Sequence, residues 1–108
     1  MDRNNLLEKI KETVAIHKNL HLNDPAISKC WSTYEDLLSK DLPSTKWVLE
    51  NIGEGNLYWV SESFDEISSR LQSREFVDFV KQLSDKYPEA QMKDDVEAAE
   101  QMLNDGKI

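Results

Sequence analysis

The side chains that invite a chemical reading are two histidines, one cysteine and several closely spaced acids. His17 and His21 stand four residues apart, a spacing that can place two imidazoles on one helical face and hold a metal ion. The pair supplies only two members of a ligand set that normally needs three or four, and Asn19 falls between them as a helix-fraying residue. The simpler reading makes His17 a helix C-terminal residue favoured by the dipole and His21 a loop residue. Neither a metal nor a cofactor is expected.

Cys30 stands beside Ile27 and Trp31 on an apolar stripe. A reactive thiol needs an electropositive, partly exposed setting. Lys29 points to another face, so a buried structural cysteine is the expectation. Asp94, Asp95, Glu97 and Glu100 could suggest a cation site, but their spacing does not match an EF-hand loop and no glycine stands at its turn position. Acids in a first helical turn follow from dipole stabilisation alone. Glu62 and Glu66 could in principle share acid–base work, although nothing in the sequence places them in one cleft. There is no glycine-rich phosphate loop, and G-x-S-x-G, H-E-x-x-H, C-x-x-C and E-x-x-H are all absent. A binding protein is therefore expected rather than an enzyme. A pocket gathering His17, Cys30 or several carboxylates of shifted pKa would favour catalysis instead.

The elements that must position these residues are helical. The chain of 108 residues suits one domain over residues 1–108, and three Trp, three Tyr and three Phe supply buried area against a net charge of −8. The charge is uneven, −2 over residues 1–54 and −6 over residues 55–108. An acidic half repels phosphate backbones, which argues against direct nucleic-acid binding. It attracts a basic protein and speeds its encounter. The N-terminal sequence lacks the apolar core of a signal peptide, no apolar run approaches a membrane span, and the lone cysteine suits a reducing compartment. A cytoplasmic protein is the expectation.

Leu6, Leu7, Ile10, Val14 and His17 recur at helical spacing and predict a first helix over 4–18. Asp24 reads as an N-cap before Pro25, opening a second helix whose stripe is Ile27, Cys30, Trp31, Tyr34, Leu37 and Leu38. Asp41-Leu42-Pro43 divides it from a short third helix carrying Trp47, Val48 and Ile52, stopped at Gly53. Glu54-Gly55-Asn56 reads as a turn. Leu57, Val60, Phe64, Ile67 and Leu71 predict a fourth helix. Ser73 caps a fifth, closed by Pro88, and Met92, Val96, Ala99, Met102 and Leu103 mark a sixth that ends near Gly106. The fold class expected is all-α, with about six short amphipathic helices in an irregular bundle or as stacked hairpins.

The fourth helix carries the informative face. Steps of 100° gather its apolar residues on one side and leave Tyr58, Glu62, Asp65 and Ser69 opposite, with Trp59 and Glu66 beside them. Tyr58 and Trp59 can pack against the 53–56 turn or the third helix. They can equally form a binding surface, because Tyr and Trp are enriched at interface hot spots and an acidic rim suits a basic partner. The sixth helix adds outward acids at Asp94, Glu97 and Asp105, with Lys93 and Lys107 as its only bases. Side by side, the two helices would present one acidic patch.

The segment WVSESFDEISSRLQSREFVDFVKQLSDKYPEA, followed by DDVEAAEQML, resembles small immunity proteins of bacterial polymorphic-toxin and contact-dependent growth-inhibition systems. The likeness lies in short acidic helices, an aromatic-rich middle and a KYP turn before the last helix, and it spans Trp47 to Leu103. It implies a protein that binds a cognate toxin domain, often a basic nuclease, and covers its working surface. The expected partner-binding residues are Tyr58, Trp59, Glu62, Asp65, Glu66, Asp94 and Glu97. The alternative is a helical adaptor or regulatory subunit that takes a peptide or helix of another protein into a groove.

Overall fold

The computed structural model describes residues 2–104. Its chain is all-α, with no strand among the described residues. The helices are α1 (Arg3–Lys18), α2 (Ala26–Leu38), α3 (Leu42–Asn51), α4 (Glu54–Val60), α5 (Phe64–Leu71), α6 (Arg74–Lys86) and α7 (Lys93–Gln101). Two 3-10 turns, Ser61–Ser63 and Pro88–Ala90, join α4 to α5 and α6 to α7. Because α4, the 61–63 turn and α5 run on without a loop, six helical segments result, as the apolar spacing predicts.

Local chemistry sets most boundaries. Asp2, Asp41 and Ser73 each cap a helix by accepting a backbone N–H, from Asn5, Ser44 and Phe76 respectively. At the head of α2 the Asp24 carboxylate accepts the Ala26 N–H at 2.8 Å, but the helix begins at Ala26 with Pro25 in the capping position, one residue later than expected. Gly53 adopts φ +95°, a conformation that favours glycine, and separates α3 from α4. Glu54-Gly55-Asn56, expected as a turn, is instead the first turn of α4. Once Gly53 has reversed the chain, the Asn56 and Leu57 N–H groups both donate to its carbonyl and the helix starts at once. The expected end of the last helix at Gly106 lies outside the described residues, as do Asp105 and Lys107; α7 ends at Gln101.

The fourth segment is not one straight helix. Ser61 and Ser63 are buried within it, and the Ser61 hydroxyl donates to the Tyr58 carbonyl at 3.0 Å. Such short-range bonds compete with the α-helical pattern, and the chain tightens to 3-10 over 61–63.

Packing follows the apolar stripes. α1 and α2 pair, as do α6 and α7, while α5 packs most extensively on α7. α3 and α4, though consecutive, do not form a hairpin: α3 packs on α1 and α6, α4 on α1 and the 88–90 turn. The arrangement is thus an irregular bundle rather than stacked hairpins. One contiguous core runs through all seven helices, with Tyr34, Phe64 and Phe76 its largest fully buried side chains. Two buried hydroxyls in it are paired, that of Thr45 donating to the Leu38 carbonyl and that of Ser68 reaching across to the Ala99 carbonyl of α7.

Candidate functional site

The site forms where the 61–63 turn meets α2 and the N-terminus of α7. Packing of α5 and this turn on α7 brings Asp94 and Asp95 to Glu62 and Asp65. The two acidic helical segments therefore share one patch. The carboxyl of Asp95 is pushed above its ordinary range chiefly by burial, and further by the negative charges of Glu62, Asp65 and Asp94, against the Ser61 hydroxyl. No ion pair among the described residues engages Glu62, Asp65, Asp94 or Asp95.

Glu66 and the α2 acids beside it are differently served. Arg70 donates to Glu66 at 2.9 Å and to Asp36 at 2.7 Å, and its other terminal nitrogen lies 3.8 Å from Glu35. One guanidinium thus ties α2 to α5. Glu35 is still raised, first by its partial burial and then by Glu66, with Arg70 opposing. Glu66 belongs to the edge of the patch, its charge already answered.

Aromatic residues complete the surface, and they are not quite the expected pair. Tyr58 is exposed, with 44% of its surface open. Trp59 turns inward and packs on the core, its ring meeting Tyr58 edge-on at 5.4 Å and His17 edge-on at 4.8 Å. Because α4 is flanked by both α1 and the 88–90 turn, the position that looks outward on an isolated helix finds a neighbour. Trp31, expected in the core, has 38% of its surface open, and its indole Nε1 donates to Glu62 Oε2 at 3.0 Å. Periodicity counts Trp31 into the stripe of α2. Its exposure depends on where α2 ends its contact with the 61–63 turn, which no local spacing encodes.

Glu97 also departs from the expected set. It lies on the α6 side of α7, lining a shallow cleft with Lys81, Asp85, Lys93 and Val96. Of the seven expected residues, Glu62, Asp65 and Asp94 share the unpaired patch and Tyr58 lies exposed on α4 close by. Glu66 borders the patch, Trp59 supports it from beneath, and Glu97 serves a different face. Trp31, read as core, and Asp95, read as a first-turn acid, are the members missing from the expected partner-binding set.

Beneath the patch, His17 is buried and its Nδ1 shares a 3.0 Å hydrogen bond with the Tyr34 hydroxyl. Burial pushes the imidazole below its ordinary value, with Glu62 pulling the other way, so the ring is held neutral rather than as a dipole-favoured cation. Burial likewise pushes the Tyr34 hydroxyl and the Cys30 thiol upward. The thiol is therefore held protonated, the opposite of what a nucleophile needs. No group of three or more His, Cys, Asp or Glu is arranged to hold a metal ion, and no helix is long and apolar enough to cross a membrane, among the described residues.

Compared with known proteins, the chain matches no family model, no curated protein and no solved structure.

Proposed function

We propose that the protein is a cytoplasmic immunity protein that binds a basic toxin domain through the Trp31–Tyr58–Glu62–Asp65–Asp94–Asp95 face and blocks it. The observation that carries the reading is the gathering of four carboxylates, none in an ion pair among the described residues, beside two exposed aromatics, whereas the neighbouring Glu66 and Asp36 are answered by Arg70. Uncompensated charge costs the isolated fold stability and gains value only when a cationic surface arrives. The aromatics supply the desolvated anchors that dominate interface energies. The resemblance of the stretch from Trp47 to Leu103 to immunity proteins points to the same kind of partner, and an acidic face of this kind suits a basic nuclease better than a nucleic acid or a membrane.

The test is co-purification of the tagged protein from its native host, with low-salt and then high-salt washes. The expected result is a stoichiometric basic partner that is toxic when expressed alone and harmless beside this protein. Alanine at Trp31 or Tyr58 should then weaken the complex by about 2 kcal/mol, with single rim acids acting mainly on association rate. An acidic or non-toxic partner overturns the reading, and a non-toxic one held in a groove between helices points to an adaptor instead.

A further inference from the structure

We infer that Trp31 and Glu62 form a docking point for one arginine side chain of a basic protein partner, the guanidinium lying on the indole and pairing with the carboxylate. This rests on the reading of the acidic–aromatic face as a binding surface and specifies the chemistry at its centre.

Three features of the geometry converge on this point. First, the indole is fixed: Trp31 comes from α2 and Glu62 from the 61–63 turn, 31 positions later, and the 3.0 Å bond between them holds the ring by its polar edge. A large aromatic left more than a third open while its orientation is set by a hydrogen bond is preorganised to be covered. Second, the bond uses Glu62 Oε2 alone and leaves Oε1 for a second donor. A carboxylate in that state still carries its charge and accepts from an incoming N–H. Third, the surrounding field is negative and unanswered. Glu62 acts electrostatically on His17, Tyr34 and Asp95, and Asp65 and Asp94 act on Asp95 as well.

The combination selects a guanidinium over an ammonium. A planar guanidinium stacks on an indole and presents parallel N–H groups to a carboxylate in one pose, whereas an ammonium is a compact, strongly hydrated point charge. Arg70 shows the carboxylate-pairing half of this chemistry one helical turn further on, where a guanidinium bridges Glu66 and Asp36. At Trp31–Glu62 no cation of the described residues is paired with the carboxylate or stacked on the ring.

The test uses the whole protein, labelled with nitrogen-15, and an acetylated tetra-arginine amide as the probe. Saturable movement of the Trp31 indole N–H signal is expected, with the Trp47 indole signal unmoved. Glu62→Gln and Trp31→Phe should each weaken the peptide about fivefold, and tetra-lysine should bind more weakly than tetra-arginine. Glu97→Gln removes the same charge from a different face and should change affinity less than about twofold. The dispersion of the remaining amide signals reports that each variant is folded. Equal losses for Glu62→Gln and Glu97→Gln, or a Trp31 signal that does not move, overturn the docking point by reducing the binding to net charge. The two readings fail separately. A captured toxin indifferent to Glu62→Gln removes the docking point and leaves the immunity reading. Peptide binding at Trp31 with a non-toxic native partner does the reverse.

Discussion

The outer face of α6 and α7 and the face around the 61–63 turn are built from the same kinds of side chain, yet they treat charge in opposite ways. On the first, Glu100 accepts from Arg74 at 2.8 Å and from Lys81 at 3.0 Å, and these cations hold its carboxyl below the usual range. Lys46 reaches Glu75 in the same manner. On the second, Asp95 is held above its range first by burial and then by three neighbouring acids, and no ion pair among the described residues engages it. The difference teaches where the sequence serves the fold and where it serves something else. Paired exposed charges are close to neutral for stability, whereas a cluster of like charges works against it and persists when another surface supplies the opposite sign.

The largest expected effect removes what both faces share. Phe64 is fully buried below the 61–63 turn and meets Phe76 of α6 edge-on, with 5.9 Å between ring centroids. Phe64→Ala should cost about 3–5 kcal/mol in urea unfolding and erase the contrast by loosening both faces together.

A second experiment isolates the acidic–aromatic side. The imidazole of His17 is held below its ordinary value of 6.5, so the unfolded chain takes up a proton before the folded one does. The His17 contribution is therefore complete above that value and is lost as pH falls from there through the folded pKa. Unfolding midpoints between about pH 7.5 and pH 5.5 should decline in the parent protein and decline less in His17→Gln. Equal slopes in the two proteins would show that the buried imidazole is not the group responsible.

The smallest effects are the most discriminating because their signs differ. Asp95→Asn should stabilise the protein, since it removes a charge that the fold disfavours. Glu100→Gln should destabilise it, since it removes a charge that Arg74 and Lys81 favour. Added salt should reduce both changes by screening. Two shifts of the same sign in thermal unfolding would break the comparison.

Periodicity makes most of the fold legible, because burying a stripe at steps of three and four is what stabilises short helices. It places the core residues of α1, α3, α5 and α6, and cap chemistry at Asp41 and Ser73 places boundaries. The 54–56 segment misleads because a glycine pair around Glu54 reads as a turn, while only Gly53 needs the left-handed conformation. The site is partly legible for a related reason. Facing directions within one helix follow from 100° steps, which place Tyr58, Glu62 and Asp65 outward. What lies against that face depends on contacts between helices. Trp59 meets His17 of α1, Trp31 finds Glu62 across the bundle, and Glu97 looks toward α6. None of these follows from local spacing.

The most direct measurement is amide hydrogen exchange of the protein alone and in complex with its captured basic partner. Binding through the unpaired face predicts new protection at the N-terminal half of α2, over residues 58–66 and at the start of α7, with α6 unchanged. Protection concentrated on α6, with residues 58–66 unaffected, would contradict the assignment of that face to the partner.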